Sequence, residues 1–165
     1  MEYFDKAMNL YQEGLDLARK TKDKAGEEQL LASIGDSHMK SGDAKNADFS
    51  YKQALVLAKE NKNRKNEATL LKKLGDASTI TKELQLAASY YQDAAGIFEK
   101  ESDYISAGES YWAQSQILAN AENKKPAIEA AKSALRIFKT NQHPKTGAVR
   151  KQLESWEKDA QSQQG

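Results

Sequence analysis

The sequence predicts an all-α protein of about eight helices that pair as antiparallel hairpins in a stacked repeat. Three observations predict this fold. Small and aromatic residues recur forty residues apart, apolar residues follow helical spacing along nearly the whole chain, and no stretch alternates as a strand would. The recurring sets are Ala47, Ala87 and Ala127, then Tyr51, Tyr91 and Ala131, then Ala54, Ala94 and Ala134.

The first helix is expected at residues 3–20. Ala7, Tyr11 and Gly14 lie one period before the second half of the next unit, so this helix matches the second helix of a repeat whose first helix is absent. Three explanations stay open. The helix caps the array, the chain is a fragment of something longer, or the uncovered apolar face docks onto another copy.

Three hairpin repeats are expected at 24–60, 64–100 and 103–140. Their short connections force neighbouring helices to run antiparallel. In the clearest connection, Gly42 is suited to the left-handed conformation past a helix end, and Asp43 is suited to capping the next helix.

Glycines and alanines indicate how the helices of a hairpin pack. Gly35 and Gly75 stand one period apart inside predicted helices, where a glycine costs about 1 kcal/mol relative to alanine. Their recurrence therefore predicts a close approach of two helix backbones. The recurring alanines are expected at the crossings, with Tyr51 and Tyr91 filling the larger hole one turn beyond.

The last helix, at 145–161, is expected to be a lone first helix with Val149, Leu153 and Trp156 on one face. We interpret it as a solubilising cap for the open end, which repeat arrays require. No linker or low-complexity stretch interrupts the array, so residues 1–165 are predicted to form a single domain.

Composition narrows the function. The chain has 25 basic and 24 acidic residues, without the basic excess expected of a nucleic-acid-binding protein. It has no cysteine, which excludes disulfides, thiol catalysis and Cys-based zinc sites. The N-terminus lacks a secretory signal pattern, and no stretch approaches the roughly 18 apolar residues of a membrane span. The expectation is a cytoplasmic protein with no nucleic-acid partner and no membrane insertion.

Residues suited to catalysis or metal binding are scattered along the sequence. His38 is expected to have a hydrogen-bonded packing role inside a hairpin, and His143 is expected to be exposed in a loop. No His, Asp and Glu residues cluster at ligand spacing, and no phosphate-binding glycine loop or nucleophile motif is present. The sequence predicts no enzyme, no cofactor and no metal site.

A fuller residue pattern repeats in register three times. It consists of Leu31, Ile34, Gly35, Gly42-Asp43, Ala47, Tyr51 and Ala54 in the best unit, Leu71, Leu74, Gly75, Ala87, Tyr91 and Ala94 in the next, and Tyr111, Ala127 and Ala134 in the third. This pattern resembles the tetratricopeptide repeat (TPR) family over nearly the whole chain.

Two departures from the usual TPR pattern indicate a long-helix variant. The period is forty rather than thirty-four residues, and Lys59, Glu99 and Lys139 replace the usual proline at the end of the second helix. Both indicate helices longer by about a turn, similar to those of kinesin light chains and bacterial peptide-sensing regulators and, more distantly, of SNAP-type vesicle-fusion adaptors.

The resemblance implies a right-handed superhelix (α-solenoid) in which the first helix of each hairpin lines a concave groove. Groove residues implied to contact a partner are Gln29, Ala32, Asp36, Met39 and Lys40 in the first unit, Thr69, Lys72, Asp76 and Thr79 in the second, and Glu109, Trp112, Gln116 and Asn120 in the third. Trp112 is the expected anchor, with packing between neighbouring helices as the alternative. The carboxylates give this wall an acidic cast that favours a polar or basic ligand segment.

Three functions follow from these observations. The first is a non-enzymatic protein–protein interaction module that holds a peptide or helix of another protein in the groove. The second is a self-associating structural or scaffold protein that forms homo-oligomers through its terminal helices. The third is a SNAP-like trafficking adaptor, which depends on the alanine- and aromatic-rich stretch at 86–117.

Overall fold

The computed structural model describes residues 2–162 and the side chains of residues 4–162; Met1 and residues 163–165 lie outside the described range. Within it the fold is all-α. The eight helices are α1 (Glu2–Thr21), α2 (Lys24–Lys40), α3 (Ala44–Glu60), α4 (Arg64–Ile80), α5 (Leu84–Lys100), α6 (Tyr104–Asn120), α7 (Lys124–Thr140) and α8 (Thr146–Ser162). All eight predicted helices are present among these residues, and the expected outer bounds of the lone helices and of the hairpins lie within one residue of the observed helix ends.

The turns between the helices repeat as regularly as the helices do. From α2 to α7 a helix begins every twenty residues, and one residue of each turn adopts a positive φ. These residues are Lys22, Gly42, Lys62, Lys82, Ser102, Glu122 and Gln142. The left-handed conformation predicted for Gly42 is confirmed, with a φ of +83°. The other six turns adopt the same conformation without glycine.

Backbone hydrogen bonds explain why these turns resemble each other. After α3, the Lys62 amide donates to the Lys59 carbonyl at 3.1 Å, and the Asn63 amide donates to the Ala58 carbonyl at 2.9 Å. This pair of bonds defines a Schellman motif, which satisfies carbonyls left open at a helix end. In four of these turns the side chain of the next residue, Asp23, Asp43, Asn63 or Asp103, then caps the following helix. Asp43, for example, accepts a hydrogen bond from the Asn46 amide.

The first compact unit, residues 1–82, contains α1 to α4. In it α2 packs against α1 and α3, and α3 packs against α4. A Cβ atom added to Gly35 would lie 2.4 Å from the Tyr51 ring, so only glycine allows α2 to approach α3 this closely. Ala47 and Ala54 are fully buried in the same layer. The predicted packing of this hairpin is therefore confirmed.

The second compact unit, residues 83–165, contains α5 to α8, each packed against the next. Ala87, Ala127 and Tyr91 belong to one buried cluster with Ile117 and Leu118. Gly108 of α6 lies against α7, because a Cβ atom there would lie 2.6 Å from the Phe138 ring. The boundary between the two units falls within the predicted hairpin 64–100. That hairpin and the single domain stay predictions.

Candidate partner-binding surface

Two predicted groove residues of the first unit meet in one cleft. Gln29 of α2 and Thr69 of α4 line an open cavity of about 320 Å³. Asn63, Lys65 and Asn66, from the turn before α4 and its first helical turn, complete the lining. The lining consists of amides, a hydroxyl and an ammonium, so it suits hydrogen bonding to a polar ligand.

A buried carboxylate stands behind this cleft. Glu28 of α2 is only 2% exposed, and three side-chain amides donate to it. Asn61 donates at 2.8 Å and Asn63 at 3.1 Å, while Asn66 donates to the same oxygen as Asn63. These bonds fix the α3–α4 turn against α2, so two lining residues of the cleft are held in place. We call Glu28 with Asn61, Asn63 and Asn66 the asparagine clamp.

Asp36, another predicted groove residue, is the centre of a second polar network in the first unit. Lys73 of α4 donates to both Asp36 oxygens, at 2.5 and 2.6 Å, and the Tyr51 hydroxyl donates at 2.7 Å. Burial and the hydrogen bond to Asp36 raise the pKa of Tyr51 well above its usual value. The network ties together α2, α3 and α4, so Asp36 has a structural role whatever it contacts outside the chain.

The remaining predicted residues of the first unit do not line the cleft. Lys40 is exposed, and the half-buried residues are Ala32, Met39, Lys72, Asp76 and Thr79. Gln29 is exposed and Thr69 is half-buried, so both can be reached from solvent at the cleft.

In the second unit, α8 covers part of the predicted surface. The Trp112 and Trp156 rings stack with centroids 6.0 Å apart and planes at 29°. Trp112 also packs against a cluster containing Ile128 and Leu153. Lys145 Nζ lies 3.3 Å from Glu109. Much of the Trp112 ring is therefore used for packing.

The pairing of carboxylates with lysines changes the expected charge of the surface. Asp36 pairs with Lys73 and Glu109 pairs with Lys145. The predicted acidic cast is therefore largely balanced by cations within each unit. Gln116 and Asn120 are exposed and uncharged. The predicted groove residues therefore offer a partner mainly hydrogen-bonding groups and few unpaired charges.

The sequence did not predict a further cleft, of about 300 Å³, in the second unit. Its lining comes from α5, α6 and α7 and comprises Gln92, Tyr111, Gln114, Pro126, Glu129, Ala130 and Ser133. The Tyr111 hydroxyl donates to Glu99 at 3.0 Å, and burial with this bond raises the pKa of Tyr111. No sequence motif marks this cleft, because its residues come from three helices.

Both histidines pack against phenylalanine rings. His38 meets the Phe4 ring edge-on with centroids 6.0 Å apart, and its Nδ1 is 3.6 Å from Asp43, too far for the expected hydrogen bond. His143 is half-buried and stacks on Phe138 at 4.2 Å, so its expected exposure was wrong. Among the described residues, no three His, Asp or Glu side chains group as metal ligands.

In the part of the chain that the structure describes, no helix is both long and apolar enough to cross a bilayer.

These features define a helical repeat fold like that of tetratricopeptide repeat proteins. Residues 28–61, which include most of α2 and all of α3, match the family model described as tetratricopeptide repeat. No curated protein matches the chain in sequence. Proteins with this type of fold generally serve as non-enzymatic interaction modules.

Solved structures support the same fold. The chain is similar to BtubC (BKLC) from P. vanneervenii, with a TM-score of 0.73, 16% identity, and coverage of 96% of this chain and 74% of that one. It is also similar to MamA protein, with a TM-score of 0.56, 18% identity, and coverage of 94% and 91%. At these identities the likeness concerns the fold alone.

Proposed function

We propose that the protein is a non-enzymatic interaction module that holds a polar peptide or helix of another protein against α2 and α4. The observation that carries this proposal is the cleft between Gln29 and Thr69. The resemblance to the tetratricopeptide repeat family implies that both residues contact a partner, and the two line one open cavity of about 320 Å³.

The chemistry of the cleft suits a peptide main chain. The Gln29 carboxamide offers both a donor and an acceptor, which match the N–H and C=O groups of a bound segment. Lys65 at the rim adds a cation for a carboxylate or a carbonyl oxygen. The asparagine clamp holds the wall in place before binding, and a preorganised wall loses less conformational entropy when a ligand binds.

A peptide selection tests this proposal. Peptides are selected from a random displayed library against the wild-type protein, and their affinity is then measured for Gln29→Trp/Thr69→Trp. Filling the cleft should weaken binding at least about tenfold, a loss of about 1.4 kcal/mol. Phe49→Trp, on an exposed site of α3, is the matched control and should bind as wild type. Equal affinity for all three proteins would contradict the proposal.

Trp112 is a second proposed contact, and its packing against Trp156 requires a paired test. Trp112→Ala and Trp156→Ala both remove the stacked pair, so both should loosen α8 by a similar amount. If Trp112 also anchors a partner, only Trp112→Ala should weaken the binding of the selected peptide beyond this shared effect. Equal losses from the two variants would assign Trp112 to packing alone.

A further inference from the structure

Helix α1 exposes two large apolar side chains. Leu10 is 67% exposed and Leu17 is 62% exposed, one heptad apart on the same face. The residues three periods later are buried: Ala130 is 7% exposed and Ile137 is 3% exposed. The same positions of the repeat are therefore buried on α7 and exposed on α1.

Helix α6 covers these positions in the second unit. Ile137 of α7 contacts Gly108 of α6, where an added Cβ atom would lie 3.0 Å from the isoleucine methyl group. Ala130 lines the cleft next to Tyr111 and Gln114 of α6. The exposed face of α1 is thus the face that the first helix of a hairpin covers. Among the described residues, no helix covers it.

Helix α8 presents the complementary half of a hairpin. In the repeat, α8 occupies the place of a first helix. Two positions at which other first helices approach their partners closely, those of Gly35 and Gly108, carry small, exposed residues in α8. Ala148 stands one period after Gly108, and Ser155 stands three periods after Gly35. Gly108 faces Ile137 of α7, and Gly35 faces Tyr51 of α3. The residues of α1 at the same repeat positions as Ile137 and Tyr51 are Leu17 and Tyr11.

Charged residues border both faces. Lys151 and Lys158 flank Ser155 on α8, and Glu13 lies between the two leucines on α1, with Lys6 and Lys20 at either end of that face; all five are exposed. Lys151 stands where α2 and α4 have Leu31 and Leu71. A lysine at this position makes the contact weaker than one inside a hairpin of the same chain. The contact should therefore form only as concentration rises.

From this we infer that α8 of one copy packs against α1 of a second copy, so that the two helices complete a hairpin between chains. Continued beyond α8, the twenty-residue spacing of helix starts would place a helix about four forty-residue periods after α1, so α1 of a second copy packed against α8 would continue the repeat register. The contact joins different faces of the two copies and is therefore head-to-tail. It is independent of the cleft at Gln29, and a chain can use both.

Sedimentation of the full chain tests the inference. Between about 1 µM and about 1 mM, the average mass should rise above the 18.4 kDa of one chain. Leu10→Glu/Leu17→Glu blocks one face and Ser155→Trp blocks the other, and each variant alone should stay monomeric. All three sites are exposed, so circular dichroism should show an unchanged fold.

Mixing the two blocked variants distinguishes this contact from a symmetric one. Each retains the face that the other lacks, so an equimolar mixture should form dimers that do not grow further. Phe49→Glu and Gln161→Trp, exposed on other faces of α3 and α8, should associate as wild type. A wild-type protein that stays monomeric throughout, or Ser155→Trp dimers without a partner, would overturn the inference.

Discussion

Replacing Glu28 by glutamine should destabilise the first unit. Glu28 is 2% exposed and accepts hydrogen bonds from three asparagine amides. A hydrogen bond to a charged group contributes about 1.5–3 kcal/mol. Glutamine would keep one acceptor oxygen, but its NH₂ group would face the NH₂ donor of at least one asparagine. At least one of the three hydrogen bonds is therefore lost, and the remaining ones weaken because the acceptor is no longer charged.

The expected loss is about 2–4 kcal/mol in the free energy of unfolding, measured from urea denaturation followed by circular dichroism. Glu27→Gln is the matched control. Glu27 is the adjacent residue and pairs with the half-exposed Arg19 at 2.8 Å, and such surface pairs contribute little. If the two variants shift the urea midpoint equally, the asparagine clamp does not stabilise the fold as argued.

Three further predictions concern turns, packing and pH. Lys62→Gly should stabilise the protein by about 1 kcal/mol in urea denaturation, because Lys62 has a φ of +57° that favours glycine. Gly35→Ala should destabilise the protein by about 1–3 kcal/mol through overpacking. Gly96→Ala should stabilise it by about 0.5–1 kcal/mol, because a Cβ atom added at Gly96 would have no other atom within 4 Å. Changes of the same sign in the two variants would refute the packing argument. The hydrogen bond from the Asn46 backbone N–H of α3 lowers the pKa of Asp43 below its ordinary 3.8. The ionised Asp43 therefore stabilises the fold fully at pH values above 3.8, and this stabilisation is lost as the pH falls through the pKa of Asp43 in the folded state. Between pH 5 and pH 3 the wild type should lose more thermal stability than Asp43→Asn, and parallel losses would contradict the capping role.

Helix positions and hairpin packing could be predicted because they depend on residue spacing. The forty-residue recurrence of small and aromatic residues marked the buried positions, and Gly42 marked a turn. From α2 to α7 a helix begins every twenty residues, so the spacing of Gly42 could have located the six left-handed turns that lack glycine. These six turns could not be predicted from residue type, because residues such as Lys62 and Glu122, which have a positive φ in the structure, do not ordinarily favour that conformation.

The asparagine clamp could not be predicted from apolar periodicity. A glutamate is usually assigned to the surface, and burial of Glu28 depends on donors that lie more than thirty residues away. The one available signal was the density of asparagine at 61, 63 and 66. Trp112 posed a similar problem, since its exposure depends on where α8 packs and not on its place within α6.

The most direct test of the partner-binding surface is an amide chemical-shift map with a selected peptide. The proposal predicts that the largest shifts in ¹⁵N-labelled protein occur at Gln29, Asn66 and Thr69, which line the cleft. Shifts centred on the exposed face of α3 at Phe49 and Val56, with the cleft residues unchanged, would contradict it.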